Sequence, residues 1–314
     1  MRVVFMGSPE FAVPCLRALV TAGHQVALVV SQPDKPAGRG GQLTAPAVKV
    51  AALELGLPIS QPKSARTGEL ETALRESGAA LAVVVAYGKI LPRAVLDALP
   101  KGCINVHASI LPKYRGAAPV QWAVIDAEPE TGVAIMQLDE GMDTGPVLLE
   151  KRVPIDPDET SGELLARLAP VGATALLEVI AMIEGDGVTS IAQDATKATH
   201  AAMLTKADGA IDFTQSAIRV AARIRGVDPW PGAQASLRGQ IVKLFRARPS
   251  DATSDQPPGT VVAVDATGLQ ITTGDGVVVV REIQAPGRKR LAAAQFAAGR
   301  GVAVGDVLAK PELS

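Results

Sequence analysis

The stretch Cys103-Ile104-Asn105-Val106-His107-Ala108-Ser109-Ile110-Leu111-Pro112 reads as a short apolar strand that runs into a turn. Side chains of a strand alternate between faces, so Asn105 and His107 leave one side while Val106 leaves the other. An amide that donates hydrogen bonds then stands beside an imidazole that moves protons. A carboxylate follows in Asp139-Glu140-Gly141-Met142-Asp143-Thr144-Gly145. Asn105, His107 and Asp143 together have the chemistry to stabilise an oxyanion and manage a proton. Asp143 taken singly could equally cap the turn between Gly141 and Gly145.

Outward from this stretch, strand and helix patterns alternate. Strand patterns cover 2–6, 25–31, 81–86, 102–107 and 132–138, with helical patterns at 10–21, 46–55, 67–76, 91–98 and 117–126. Pro14 is tolerable because it falls in the first helical turn. Such alternation predicts a parallel sheet covered on both faces, with ligands at the carboxyl ends of the strands. The strand ends before Tyr87-Gly88, at Asn105–His107 and before Asp143 are therefore expected to converge on one crevice. Gly7-Ser8-Pro9 follows the first strand, but the chain lacks the G-x-G-x-x-G spacing, which argues against a dinucleotide site. Residues 32–43 are rich in Pro and Gly and carry Lys35 and Arg39, and read as a mobile surface loop that could grip a partner.

Thr160-Ser161-Gly162-Glu163 matches a capping box, opening a helix to about residue 184 that Pro170 is expected to kink or bound. Residues 185–205 are polar and irregular. From residue 233 five short strand patterns, at 233–237, 241–248, 259–264, 268–272 and 276–283, suggest a small barrel of OB type. The division expected is a domain at 1–189, a linker at 190–206 and a second domain at 207–314, and the length of 314 residues favours two domains.

Composition narrows the class. With 47% hydrophobic and 20% charged residues the chain is globular. There is no run of eighteen apolar residues and no room for a signal peptide before the first strand, so no membrane and a cytoplasmic location are expected. Cys15 and Cys103 lie in apolar patterns and read as buried free thiols, and the three histidines show no zinc spacing, so no metal is expected. The net charge of -1 hides an asymmetry: Lys and Arg against Asp and Glu give 17 − 22 = −5 for residues 1–205 and 14 − 10 = +4 for 206–314. A mildly basic C-terminal part hints at a polyanionic partner.

The sequence Asn105-Val106-His107 with Ser109-Ile110-Leu111-Pro112, and Asp143-Thr144-Gly145 downstream, resembles the signature of 10-formyltetrahydrofolate-dependent formyltransferases. Phe5-Met6-Gly7-Ser8-Pro9, Ala37-Gly38-Arg39-Gly40, Val85-Ala86-Tyr87-Gly88, Pro112-Lys113-Tyr114-Arg115-Gly116-Ala117-Ala118-Pro119 and the segment 227–233 resemble the branch of that family acting on methionyl-tRNA. The resemblance runs nearly the full length. The chain departs from it at Gly41-Gln42, where lysines are common, and at Ala108 and Ile110, where Gly and Leu are commoner.

The resemblance implies a Rossmann-like catalytic domain followed by an OB-like tRNA-binding domain, acting as a monomer. It implies formyl transfer from 10-formyltetrahydrofolate to the α-amine of initiator methionyl-tRNA, the step that prepares it for translation initiation. Asn105, His107 and Asp143 would be catalytic. Ser109, Ile110, Leu111, Pro112, Tyr87 and Gly88 would line the folate. Lys35, Arg39 and Lys206 would hold the tRNA, with Arg219, Arg223, Arg246, Arg248, Arg288, Lys289 and Arg290 as further phosphate contacts. One rival is a folate-dependent formyltransferase acting on an amino-sugar nucleotide, distinguished by an acceptor assay. Another is a nucleic-acid-binding module on an inactive Rossmann-like domain, which detectable folate turnover would exclude.

Overall fold

The computed structural model describes residues 1–37, 41–185 and 187–312. In chain order it runs β1 (Arg2–Gly7), α1 (Val13–Thr21), β2 (Gln25–Val30), β3 (Lys35–Ala37), β4 (Gln42–Thr44), α2 (Ala47–Glu54), β5 (Ile59–Ser60), α3 (Glu69–Glu76), β6 (Leu81–Val85), α4 (Arg93–Leu96) and β7 (Cys103–His107). There follow β8 (Arg115–Gly116), α5 (Pro119–Ile125), β9 (Glu130–Gln137), β10 (Val147–Pro154), α6 (Ser161–Glu184), β11 (His200–Ala201) and α7 (Ala217–Gly226). The chain ends with β12 (Ala233–Leu237), β13 (Gln240–Ser250), β14 (Val261–Asp265), β15 (Gly268–Thr272), β16 (Val277–Gln284), β17 (Leu291–Ala292), α8 (Ala293–Ala298) and β18 (Leu308–Ala309).

Two compact units emerge. The first comprises Met1–Ala117, Thr131–Val153 and Leu165–Ala201, and the second Ala118–Glu130, Pro154–Leu164 and Ala202–Ser314. These groupings differ from the boundaries expected at 189 and 206. Residues 190–201 read as linker because they lack apolar periodicity, yet they hydrogen-bond into the first unit through Ile191, Gln193 and Thr199.

The first unit is built on a seven-stranded sheet in the order β10-β9-β7-β6-β1-β2-β5. The pairs β1/β2, β1/β6, β2/β5 and β6/β7 are parallel. Residues of β1, β6 and β7 are buried along almost their whole length, which is why they read as continuous apolar runs. The chain leaves β1 for β2 on one side and returns to β6 on the other, a switch point of the kind at which open α/β sheets bind ligands.

The run β5-β2-β1-β6-β7 is parallel, as expected, and the sheet departs from that pattern at β9. β9 runs antiparallel to β7, with Ile104 opposite Gln137 and His107 opposite Ala134. A parallel return requires a crossover helix packed on the sheet. The helix that intervenes, α5, instead places Ile125 in the core of the second unit. The carboxyl end of β9 therefore lies beside the start of β7, where Leu138 donates to the carbonyl of Cys103 at 2.9 Å. The three strand ends do not converge as expected.

Helix α6 opens on the capping box: Glu163 accepts from the Thr160 backbone at 3.0 Å and Thr160 Oγ1 from the Glu163 backbone at 3.3 Å. It continues through Pro170 without ending there, so the expected boundary is absent. It is the one described helix long and apolar enough by composition to cross a membrane, with about half of it buried. Leu164, Leu168, Leu176, Val179 and Ile180 are fully buried, as in the core helix of a globular unit.

The second unit carries a separate antiparallel sheet in the order β14-β15-β16-β13-β12-β18. Its core includes Ile211, Phe213, Val220, Ile224, Leu244, Val261, Leu269, Val278, Val280 and Ile283. An antiparallel bridge between Thr260 and Val307 joins the β14 end of this sheet to its β18 end.

Candidate active site

Strand β7 fixes the pair that opened the sequence reading. Asn105 and His107 are 9% and 6% exposed, on the same face of a strand held by β6 and β9. Among the described residues no hydrogen bond holds the Asn105 amide, so its donors are free for a ligand.

His107 Nε2 lies 3.0 Å from the carbonyl oxygen of Tyr114. A carbonyl only accepts, so Nε2 carries the hydrogen and Nδ1 is the nitrogen that gains or loses a proton. Nδ1 lies 3.7 Å from Asp143 Oδ2, close enough for charge attraction and beyond a hydrogen bond. That carboxylate oxygen also accepts from the Gly116 backbone at 2.8 Å.

Asp143 reaches His107 because its loop doubles back. Residue 138 sits beside the start of β7 whereas His107 ends it, so the segment 139–145 must travel along the strand. The turn is capped by Asp139, which accepts from the Gly141 backbone at 3.0 Å and Thr144 Oγ1 at 2.7 Å. Capping, the bland role open to Asp143, thus belongs to its neighbour. Asp143 itself has φ +52° and Tyr114 φ +59°, left-handed conformations that cost free energy and persist where surroundings over-determine them.

The surroundings here come from stretches with no sequence signal. Gln193 Nε2 donates to the carbonyls of Asp143 and Gly145 at 2.9 and 2.7 Å, and its Oε1 accepts from Arg115 Nε and Nη2 at 3.0 and 2.7 Å. Thr199 Oγ1 accepts from the Tyr114 backbone at 2.8 Å. Strands β8 and β11 pair in parallel, Arg115 with His200 and Gly116 with Ala201. Gly116 has φ +117°, and a Cβ there would lie 2.8 Å from the Ala201 carbonyl oxygen, so a side chain is excluded on two grounds.

The turn after β7 is closed internally, since Ser109 Oγ donates to the Lys113 carbonyl at 2.7 Å and Lys113 donates to the Ile110 carbonyl at 3.0 Å. Leu111 is buried with Ala134 and Met136, while Ile110 and Pro112 are half-buried. Tyr87 departs from expectation. Its ring is buried in the core with Val84, Leu91 and Val95, and its hydroxyl has no partner. Burial, with Glu69 nearby, pushes the phenol up to about 12. Its carbonyl and that of Gly88 take hydrogen bonds from Gln32 Nε2 at 3.0 and 3.4 Å. What β6 offers a ligand at residues 86–88 is therefore main chain, not an aromatic face.

Lys35 is exposed on a two-stranded ribbon in which it pairs with Thr44, so the ends of the expected mobile loop are regular structure. Arg39 lies outside the described residues. The ribbon's base is anchored by Asp34, which accepts from Lys49 at 2.7 Å and Gln61 at 2.8 Å. The hydrogen bond from Gln61 and the Lys49 ammonium hold its carboxyl below the ordinary carboxylate range. Burial pushes both Cys15 and Cys103 up to about 12, which leaves these free thiols inert. Among the described residues no cluster of three or more His, Cys, Asp or Glu could hold a metal ion.

Most of the expected basic contacts in the second unit are already paired. Arg219 meets Asp126 at 3.3 Å, Arg223 meets Asp208 at 3.7 Å, and Arg246 forks onto Glu163 at 2.5 and 2.9 Å. Arg248 pairs with Asp158, and Arg290 pairs with Glu282 and lies 3.9 Å from the Phe245 ring centroid. Lys206, Arg288 and Lys289 are exposed and have no carboxylate partner among the described residues.

Residues 1–180 match the family described as formyl transferase, and residues 203–301 match the formyl transferase C-terminal domain. The chain is 48% identical to a methionyl-tRNA formyltransferase of Desulfotalea psychrophila, over 98% of this chain and 95% of that protein. It is 45% identical to a methionyl-tRNA formyltransferase of Solibacter usitatus, over 100% of both. Its fold resembles the N-formyltransferase of Helicobacter canadensis solved with folinic acid and dTDP-3-aminofucose, at a TM-score of 0.69, 17% identity and coverage of 88% of this chain and 97% of that one.

Proposed function

This chain belongs to the methionyl-tRNA formyltransferase family, and we propose that Asn105, His107 and Asp143 carry formyl transfer in it from 10-formyltetrahydrofolate to the α-amine of initiator methionyl-tRNA. The observation that carries the assignment is one geometry: an unheld Asn105 amide beside His107, whose Nδ1 faces the Asp143 carboxylate. Folate supplies the activated formyl group when bound. Donors free for its formyl oxygen and main chain at residues 86–88 and 109–112 suit such a ligand.

An α-amine has a pKa of about 7.7–8.0, so a good fraction is neutral at physiological pH and the nucleophile needs little activation. The demanding events are charge growth on the formyl oxygen and movement of protons. Asn105 donates to that oxygen, a contribution typically worth about 2.7–4 kcal/mol. His107 delivers a proton from Nδ1 to the departing folate nitrogen as its bond to the formyl carbon breaks, an effect worth roughly 10²–10⁴-fold. The proton shed by the attacking amine restores the one on Nδ1. Asp143, 3.7 Å from Nδ1, orients the ring and is itself kept in place by its Gly116 contact.

For the acceptor, the reading uses Lys35 and Arg39 in the first unit and Lys206, Arg288 and Lys289 in the second, which we take to be an OB-like barrel. Lys35, Lys206, Arg288 and Lys289 are exposed and have no carboxylate partner among the described residues, which suits phosphate contacts. Their modest number fits a partner held partly by its aminoacyl end. We further read the protein as a cytoplasmic monomer without membrane attachment. The test is a single-turnover assay with 10-formyltetrahydrofolate, offering methionyl-tRNA or a dTDP-amino-sugar. Formylation of methionyl-tRNA supports the proposal, and exclusive formylation of the sugar nucleotide would refute it.

A further inference from the structure

We propose that Gln193 is a positioning residue for the catalytic pair, acting through the main chain of the loop that presents Asp143. The inference rests on the formyl-transfer reading of that site.

The amide of Gln193 is used to capacity. A glutamine side chain offers two N–H donors and two acceptor lone pairs. Both donors go to the carbonyls of Asp143 and Gly145, and the oxygen takes two hydrogen bonds from the Arg115 guanidinium. The two carbonyls, Asp143's own and that of the residue two positions on, follow directly on the Cα that turns the carboxylate towards His107. Asp143 holds a left-handed φ of +52° there, which needs external restraint to persist. Gly145 is equally constrained, because a Cβ on it would overlap the Gln137 carbonyl.

Arg115 matters in turn through its neighbour Gly116, whose N–H meets Asp143 Oδ2. Gln193 therefore ties together the two chain segments that fix Asp143, one through its backbone and one through its carboxylate. Its position in a polar, irregular stretch is explained by this: it works on main chain, so it needs no periodic neighbours.

The chemistry separates a positioning role from mere anchorage. Gln193→Glu keeps an oxygen for Arg115 and strengthens that contact by charge. It also turns an oxygen towards the Asp143 and Gly145 carbonyls, where a donor is required. A merely structural tie predicts lower thermal stability with formylation unchanged, whereas positioning predicts lost formylation. Misplacing a reacting group by about 1 Å can cost about 10²-fold. We expect single-turnover formylation to fall roughly 10–100-fold in Gln193→Glu and Gln193→Ala, with folate and methionyl-tRNA affinities within about threefold of wild type. In an Asp143→Asn background, Gln193→Glu should produce little further loss, because residues acting as one unit are non-additive.

A second readout is independent of the acceptor: the His107 titration followed by NMR in the intact chain should shift in Gln193→Glu. Wild-type rates and an unmoved titration would overturn the inference, as would losses that simply add to those of Asp143→Asn. If the wild-type chain formylated no methionyl-tRNA while the titration still shifted, the positioning role would stand and the substrate assignment would fall.

Discussion

The surface of the second unit and the surroundings of His107 in the first treat charge in opposite ways. On that surface arginines are matched with carboxylates, with Arg246 on Glu163, Arg248 on Asp158, Arg290 on Glu282 and Arg238 on Asp306. Around His107 the groups that touch the pair or its loop are neutral, namely the Tyr114 carbonyl, the Gly116 N–H, the Gln193 amide and the Thr199 hydroxyl. The Arg115 guanidinium lies one step further out, on the Gln193 oxygen. Exposed ion pairs tolerate loose geometry and contribute little each. Neutral hydrogen bonds to main chain fix orientation without adding charge that would compete with the reacting groups. The difference separates a surface tuned for solubility and partner choice from a site tuned for geometry.

Removing the charged or donor groups of the site should produce the largest effects. His107→Ala and Asp143→Ala are expected to lower single-turnover formylation by roughly 10²–10⁴-fold, and Asn105→Ala by about 10²–10³-fold. Circular dichroism should show the fold intact in each. Near-normal rates in any of them would remove that residue from the chemistry.

A second experiment breaks the neutral bracing. Gly116→Ala puts a side chain against the Ala201 carbonyl at φ +117°, a strain of roughly 1–3 kcal/mol. Thermal unfolding should record the destabilisation, and formylation should fall by about 10²-fold as the Asp143 contact shifts. Unchanged activity would mean that the Gly116 N–H is not what spaces the pair.

In the second unit the contrast predicts a division between paired and unpaired cations. Charge removal at Arg288 and Lys289 together should weaken methionyl-tRNA binding and reduce the slope of log affinity against log salt by about one to two. Arg246→Ala should leave that slope alone and lower stability instead. Equal slopes for both variants would contradict the assignment.

The smallest effect concerns acid. The Arg246 guanidinium, then the Thr160 hydrogen bonds, hold Glu163 from its ordinary 4.5 down to about 2. Between those values the unfolded chain binds a proton that the folded one does not. The contribution is thus complete above about 4.5 and disappears as pH falls towards about 2. Both side chains are more than a third exposed, at 37% and 45%, so solvent screening keeps the effect small. Urea midpoints taken across that range should fall less steeply in Glu163→Gln than in wild type.

Much of this architecture was legible from residues, for identifiable reasons. Strands β1, β6 and β7 are buried along almost their whole length, and burial writes continuous apolar runs into a sequence. Asn105 and His107 followed from the period of two, and the α6 start from Thr160 and Glu163. Strand β10 was invisible because it carries Glu150, Lys151 and Arg152 on an edge that is only half-buried. The reversal of β9 was equally hidden, since direction depends on which core α5 joins, and an apolar helix face does not name its partner. Tyr87 was placed correctly at a strand end, but nothing in a motif tells which way a ring turns. Gln193 and Thr199 left no trace, because side chains that act on main chain impose no pattern on their neighbours.

Gly116 carries a further consequence. The group that sets the spacing of the Asp143 carboxylate is a peptide N–H, and every amino acid except proline supplies one. No exchange of side chain elsewhere in the loop can delete that donor. The charge of the pair is lost with the side chain at 107 or 143, whereas the donor that sets its spacing survives every substitution but proline and can only be moved, as by a side chain at Gly116.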